Sequence, residues 1–151
     1  MFNPDSMKLP FFEDAHRSLH QDVHAWSRAN LPTRIHTGSV DKRCQELVKM
    51  LGDAGWLRYC VPKEYGGMLP GLDSRSLCLL RQTFGYYDGL ADFAFVLQGL
   101  GSGPISLFGS DYLKQKYLPH VATGKMLAAF ALSEPDAGSD AAAMTTTATR
   151  T

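Results

Sequence analysis

Residues 130–140 of this 151-residue chain read Phe-Ala-Leu-Ser-Glu-Pro-Asp-Ala-Gly-Ser-Asp. The apolar run from Leu127 to Leu132 predicts a buried strand. The segment from Ser133 to Asp140 then gathers hydroxyls, carboxylates and a glycine at the end of that strand. Binding groups are often held in such irregular polar turns, because a rigid scaffold aims them. The stretch therefore predicts a binding site at a strand end.

The residue types of this turn leave two interpretations open. Ser133 and Ser139 can hydrogen-bond a polar ring edge or a phosphate, and Gly138 lets a backbone approach a ligand closely. Successive N–H groups in such a turn can also bind an anion. However, Pro, Asp, Gly and Ser are equally the ordinary residues of a plain β-turn. Spacing alone does not choose between a binding turn and a plain one.

Composition argues against several classes of protein. A hydrophobic content of 44% predicts a globular core, and 15 basic against 15 acidic residues make nucleic acid an unexpected partner. No apolar run approaches the roughly 20 residues of a membrane-spanning helix, and the N-terminus lacks the pattern of a signal or transit peptide. The odd count and irregular spacing of Cys44, Cys60 and Cys78 argue against a disulfide framework or a zinc site.

The first two predicted helices have apolar residues at spacings of three and four. The first ends at Pro32, and its inner face comprises Phe12, Ala15, Leu19, Val23 and Trp26. The second begins after a capping Ser39 and ends at Gly55, and its inner face comprises Val40, Cys44, Leu47, Leu51 and Ala54. His16, His20 and His24 stand four apart on the first helix, a spacing that metal sites use. A solvated helix flank is the favoured interpretation, because no fitting carboxylate or cysteine partner accompanies them.

Three further helices are predicted. Asp73 caps one that is interrupted between Gly85 and Gly89, and Ser110 caps the last, which Gly124 closes. Between them, residues 90–100 are almost wholly apolar and predict a helix buried on all sides. The following Gly101-Ser102-Gly103-Pro104 predicts a break or kink in that helix. The longer stretch from Gly99 to Pro104 is similar to a dinucleotide-binding loop, but a helix-like run and not a strand precedes it, and Pro104 replaces a needed spacer. Close helix packing or a break above a ligand pocket is therefore favoured.

After Gly124 the pattern changes to short β-type segments. Leu127 to Leu132 is apolar, and Met144 to Thr149 is rich in β-branched threonine. The predicted organisation is therefore mainly α, with an all-helical domain over residues 1–125 and the beginning of an incomplete β domain over residues 126–151. Two strands alone are not independently stable, so the β part is expected to belong to a larger sheet.

The segment from Ala131 to Asp140, with Ala143 behind it, resembles a signature of the acyl-CoA dehydrogenase family. The signature has a small residue, an aliphatic residue, Ser or Thr, Glu, two free positions, a small residue, Gly, Ser or Thr, and Asp. Every fixed position matches. Val61 to Gly67 resembles the family's loop after the second helix, and residues 109–125 resemble the helix that leads into the β domain. The resemblance covers nearly the whole chain.

The resemblance implies a fold and a set of cofactor contacts. The chain would be the helical N-terminal domain of the acyl-CoA dehydrogenase fold, followed by the first strands of a truncated β domain. The implied FAD-binding residues are Phe130, Ala131, Leu132, Ser133, Gly138 and Ser139. The Leu132 backbone and the Ser133 backbone and hydroxyl would bond the flavin's polar edge, and Ser139 would reach both the FAD pyrophosphate region and the acyl-CoA. Glu134 and Asp140 are expected to hold the turn.

The resemblance also implies an activity, α,β-dehydrogenation of an acyl-CoA thioester with FAD as cofactor. The family's general base is a glutamate of the C-terminal domain, so no catalytic residue and no metal ligand is assigned here, and this stretch alone is expected to be inactive and to bind FAD weakly or not at all. The implied partners are an electron-transferring flavoprotein or similar acceptor and further copies of the protein, in a dimer or tetramer. The implied location is the cytoplasm, or the mitochondrial matrix of a eukaryote.

Two alternatives stay open. Flavin oxidases and monooxygenases share this scaffold and differ in oxygen access and in the absence of the base. A helical module that only binds a partner is the non-enzymatic alternative.

Overall fold

The computed structural model describes residues 4–31 and 38–149, and five α-helices form the framework of this part of the chain. They are α1 (Asp14–Asn30), α2 (Val40–Asp53), α3 (Ser74–Tyr87), α4 (Gly89–Phe108) and α5 (Asp111–Ala122). Short 3₁₀ helices occupy Pro4–Lys8, Trp56–Cys60, Lys63–Tyr65 and Ala141–Ala143. The prediction of a mainly helical fold is confirmed.

The core lies around α4, which packs against α2, α3 and α5, while α1 packs against α3. Phe84 of α3 and Phe95 of α4 are fully buried, and their rings meet edge to face with centroids 5.2 Å apart. The same buried cluster includes leucines of α2, α3 and α5, among them Leu47, Leu51, Leu80 and Leu118. Each large apolar side chain buried in this way contributes roughly 1.5–3 kcal/mol. The long helix α4 is therefore the element that fixes the others.

Most helices begin and end at the capping residues and glycines that the sequence predicts. The carboxylate of Asp73 accepts the backbone N–H of Ser76, and the hydroxyl of Ser110 accepts that of Leu113. Gly55 and Gly124 follow the ends of α2 and α5 with φ of 82° and 68°, a conformation that side chains disfavour. Ser39 occupies the cap position of α2 without a side-chain cap hydrogen bond. Pro32, predicted to end α1, lies outside the described residues.

The buried face of α1 differs from the prediction. Ala15 is exposed, and the buried residues are His16, Leu19, Val23 and Ser27. His16 is on the inner face because Asp73 of α3 supplies a hydrogen-bonding partner for its ring. The interpretation of the histidines as a solvated flank is thus wrong for His16. Burial lowers the pKa of His20, as does the nearby His24, and burial lowers the pKa of His24.

Helix α4 does not break at the glycines. It runs without interruption through Gly101, Gly103 and Pro104 to Phe108. A proline inside a helix costs about 3 kcal/mol locally, and packing against α2, α3 and α5 offsets that cost. The helix is also not buried all round, since Phe93 and Leu100 are about half exposed, at 51% and 47%. One face of α4 packs against the core, and another face is exposed to solvent.

The full length of α4 bears on the expectation that the chain has no membrane-spanning helix. At 20 residues and a mean hydropathy of 1.2, α4 is long and apolar enough to cross a membrane, and it is the one helix of the described residues that is. A core helix of a soluble protein meets the same criteria of length and composition.

The two predicted strands do not form within residues 38–149. Residues 127–133 and 144–149 have no regular secondary structure, and the β-type contacts in this range are isolated bridges between Pro62 and Leu69 and between Glu134 and Ala137. A strand needs the backbone groups of a neighbouring strand, and no such neighbour lies beside either segment in the described part of the chain. The β domain expected from residue 126 onward therefore stays a prediction.

Candidate functional site

The predicted binding turn is closed by one pair of residues. The N–H of Glu134 donates to the carbonyl oxygen of Ala137 at 2.9 Å, and the N–H of Ala137 donates to the carbonyl oxygen of Glu134 at 3.2 Å. Pro135 and Asp136 form the tip between them. Ala137 is only 2% exposed, so this end of the turn is shielded from solvent. The pairing brings Ser133 and Gly138 to the two flanks of the same turn.

The carboxylate of Glu134 ties this turn to a later part of the chain. It accepts hydrogen bonds from the backbone N–H of Thr145 at 2.8 Å, from the Thr145 hydroxyl at 3.1 Å and from the backbone N–H of Thr146 at 3.0 Å. The Thr145 N–H, followed by the bonds from Thr146, lowers the pKa of Glu134 to about 2. Glu134 is therefore ionised at neutral pH and serves as an acceptor that holds the loop, as its predicted role requires.

Asp140 has a similar local role. Its Oδ1 accepts the backbone N–H of Ala142 at 3.1 Å and caps the short 3₁₀ helix Ala141–Ala143. Ser139 immediately precedes this cap. The cap and the Glu134 carboxylate thus support the turn on both sides of Gly138 and Ser139.

The predicted FAD-binding residues lie on an open surface. Ser133, Gly138, Ser139 and Ala131 are exposed, and Phe130 and Leu132 are 43% and 40% exposed. Within the described residues, the hydroxyls of Ser133 and Ser139 make no hydrogen bond. A Cβ placed on Gly138 would meet nothing within 4 Å. The turn therefore presents hydroxyls, backbone and open space, which suit the polar edge of a planar ring or a phosphate.

Sequence reasoning did not identify Gln98 as a support of this site. Gln98 lies on α4, is 1% exposed, and bonds the backbone of Met126 and Ala128, just before the turn segment. Its signal was one of only two polar side chains, with Asp92, in the apolar run of residues 90–100. The close packing predicted for the glycine-rich segment is confirmed at Gly101, because an added Cβ would lie 2.7 Å from the backbone of Ala129.

Other clusters of the described residues lie away from the turn. A cavity of about 450 Å³ is lined by residues of α1 and α2 and by Ala54, and none of the predicted site residues lines it. Residues 4–31 and 38–149 contain no group of three or more His, Cys, Asp or Glu side chains arranged to hold a metal ion.

Comparison with known proteins points to one family. The family model of the acyl-CoA dehydrogenase N-terminal domain matches residues 13–125. A probable acyl-CoA dehydrogenase of Bacillus subtilis is 44% identical over 102 residues, which are 68% of this chain and 17% of that protein. A probable acyl-CoA dehydrogenase of Mycobacterium leprae is 34% identical over 147 residues, which are 95% of this chain and 36% of that protein. The chain thus spans about a third or less of the length of these relatives.

A solved structure has the same architecture. The acyl-CoA dehydrogenase of Bacillus anthracis, crystallised with FAD, superposes with a TM-score of 0.70 at 35% sequence identity, over 93% of this chain and 24% of that one. The family model covers the five helices from the start of α1 to the end of α5, and the relative from M. leprae extends the match through the turn. The chain belongs to the acyl-CoA dehydrogenase family, and its described helices are those of the family's N-terminal domain.

Proposed function

We propose that this chain contributes part of the flavin site of an FAD-dependent enzyme that dehydrogenates an acyl-CoA thioester between its α- and β-carbons. The observation that carries the proposal is the open turn at residues 130–140. It leaves two serine hydroxyls and a glycine backbone exposed while Glu134, Ala137 and Asp140 hold the turn in shape. Membership of the family supplies the class of reaction.

The residues of the turn would hold the cofactor in distinct ways. The Leu132 backbone and the Ser133 backbone and hydroxyl would bond the polar edge of the flavin, with Phe130 and Ala131 leading into that contact. Gly138 would let the cofactor approach the backbone, because no side chain fills the space beside it. Ser139 would hydrogen-bond the pyrophosphate region and the acyl-CoA. The bound flavin supplies the acceptor for the hydride that leaves the β-carbon.

The chain's own contribution is binding and orientation. Hydrogen-bond donors that are already fixed in place would hold the reacting carbons against the flavin ring. The entropy of orienting the two reactants is then lost on binding and not in the chemical step, which accelerates that step. Glu134 of the turn is not proposed as the base, since its carboxylate is committed to Thr145 and Thr146. The base belongs to the part of the family fold that these 151 residues do not cover.

The proposal includes partners and a location. The acyl-CoA is the substrate, an electron-transferring flavoprotein or a similar carrier accepts the electrons, and the intact protein is a homo-oligomer. The cytoplasm is the proposed location, or the mitochondrial matrix if the source is a eukaryote.

The test is to purify the intact protein that carries this sequence and to measure its flavin absorption. Addition of a saturated acyl-CoA without oxygen should bleach the oxidised flavin band, and an electron acceptor should restore it. A protein that neither retains nor takes up FAD would overturn the proposal. Rapid reoxidation by oxygen alone would instead assign the protein to the oxidases of the same fold.

A further inference from the structure

The buried side chain of Gln98 makes two hydrogen bonds to one short stretch of backbone. Its Nε2 donates to the carbonyl oxygen of Met126 at 3.0 Å, and its Oε1 accepts the N–H of Ala128 at 2.6 Å. Gln98 is 1% exposed and lies in the most apolar helix of the described chain. A buried carboxamide without partners would be costly, so both of its ends are satisfied by this one segment.

This pair of bonds resembles the contact that a neighbouring strand would make. A carboxamide has one donor end and one acceptor end, as a peptide group does. By bonding a carbonyl and an N–H two residues apart, Gln98 takes the place of one residue of an adjacent strand. Residues 126–128 are thereby held to the helix in one register, although no strand lies beside them in the described residues.

Gly101 provides a second, steric contact on the same side of α4. Residues three apart on a helix are neighbours on its surface, so Gly101 lies one turn beyond Gln98. A Cβ at Gly101 would lie 2.7 Å from both the N and the O of Ala129 and 2.8 Å from the Cβ of Ala128. Such distances are too short for real atoms, so the segment rests directly on the helix backbone. Hydrogen bonding at Gln98 and the gap at Gly101 therefore fix the same short segment.

The position of these residues along the chain gives the contact its consequence. Phe130 follows Ala128 by two residues, and Leu132 and Ser133 come soon after. In an extended segment, a slip of one residue turns every side chain and every backbone group to the opposite side. Leu132 and Ser133 lie four and five residues after Ala128, so a shift of the chain by one residue at Ala128 would change which backbone groups are offered at the turn.

From this geometry we infer that Gln98 is a positioning residue of the flavin site, acting through the backbone of Met126 and Ala128. The inference rests on the proposed function for its flavin role, whereas the docking of the segment on α4 can be measured without flavin. Gln98 bonds the backbone that precedes the turn and not the turn itself. It sets the register in which the turn meets the ligand.

The experiment compares Gln98→Leu and Gln98→Glu with wild type, and uses Gln82→Leu and Gln82→Glu as matched controls. Gln82 is an exposed glutamine of α3, so the same chemical changes are made there without disturbing the segment. The first measurement is amide hydrogen exchange of Ala128 in the 151-residue chain. The second is the FAD dissociation constant and the flavin absorption spectrum of the intact protein.

In Gln98→Leu, the Ala128 amide should exchange at least about tenfold faster and FAD should bind at least about tenfold more weakly, since both bonds are lost. Gln98→Glu adds a readout that general loss of structure would not produce. When the introduced carboxyl group is ionised it cannot donate to Met126, whereas in its protonated form it can both donate and accept. Burial favours the protonated form, so FAD affinity in this variant should be higher at about pH 5.5 than at about pH 8.

Each outcome decides a separate point. Wild-type FAD affinity and spectrum in Gln98→Leu, with faster exchange at Ala128, would overturn the positioning role. Unchanged exchange at Ala128 would overturn the docking itself. If Gln98→Leu does not fold, a Gln98→Glu protein whose FAD affinity has the same pH dependence as Gln82→Glu overturns the inference. Failure of wild type to bind FAD, with faster exchange in Gln98→Leu, would sink the proposed function and leave the docking intact.

Discussion

The Nε2 atom of His16 lies 2.8 Å from Oδ2 of Asp73, and this contact joins α1 to the first turn of α3. The other ring nitrogen of His16 accepts the backbone N–H of Glu13, so the neutral ring carries its proton on Nε2 and donates it to Asp73. Asp73 also accepts the N–H and the hydroxyl of Ser76. Burial would raise the pKa of Asp73, but the bonds from Ser76, His16 and Arg75 lower it well below its usual range. One carboxylate therefore caps α3 and satisfies a buried histidine of α1.

The first prediction concerns the removal of this carboxylate. Asp73→Ala should lower the free energy of unfolding by about 2–3 kcal/mol, because a helix cap is lost and His16 is left buried without its acceptor. Asp73→Asn should cost less, since asparagine is also a good cap. Urea unfolding of the chain measures both. Asp53→Ala is the control: its exposed pair with Lys49 should change stability by less than about 0.5 kcal/mol. Equal losses for Asp73→Ala and the control would contradict the prediction.

The second prediction compares two glycines of α4. Gly101→Ala should destabilise the chain and displace residues 126–129, because the added Cβ would collide with the backbone of Ala129. Gly103→Ala should instead stabilise it by up to about 1 kcal/mol, since nothing lies within 4 Å and alanine favours helix. Thermal unfolding and amide chemical shifts of residues 126–129 distinguish the two. If both variants gain stability, the close approach at Gly101 is wrong.

The third prediction concerns pH and Glu134. Its pKa is lowered to about 2, so the contribution of its hydrogen bonds is present in full above the ordinary carboxyl pKa and is lost as the pH falls toward 2. Amide exchange at Thr145 and Thr146, corrected for the intrinsic pH dependence of exchange, should stay slow at about pH 5 and become faster only below about pH 4. Glu134→Gln should remove this dependence. Loss of protection already near pH 5 in wild type would show that the carboxylate is not held as described.

The fourth prediction concerns Ser139. Its hydroxyl is exposed and makes no hydrogen bond within the described residues, so Ser139→Ala should leave the melting temperature unchanged. The intact protein should bind FAD or acyl-CoA about fivefold to tenfold more weakly, as expected for the loss of one hydrogen bond. Ser74→Ala, at an exposed serine of α3, should leave binding unchanged. Wild-type flavin content and kinetics in Ser139→Ala would remove Ser139 from the site.

Several features of the fold could be predicted from the sequence because their causes are local. The caps at Asp73 and Ser110 depend on a side chain and a backbone N–H three residues away. The positive φ at Gly55 and Gly124 depends on the absence of a side chain at that residue alone. The polar turn was recognisable because its closing pair, Glu134 and Ala137, lies within four residues.

The features that the sequence did not predict depend on distant partners. His16 faces inward because its ring bonds the carboxylate of Asp73, which lies 57 residues farther along the chain. Helix α4 continues through Pro104 because packing by other helices offsets the local cost. The strand pattern at residues 127–132 predicted pairing with another strand, and the groups that bind Met126 and Ala128 in the described chain are the carboxamide of Gln98, 28 and 30 residues earlier.

The sequence by itself determined the helical class, most of the helix ends and the composition of the polar turn, since these follow from short-range hydrogen bonding, periodicity and residue type. The tertiary structure alone decided the buried face of α1, the continuity of α4 and the docking of residues 126–129 on α4. These features depend on which residues, distant in sequence, come within hydrogen-bond distance of about 3 Å. A local sequence pattern does not specify those partners.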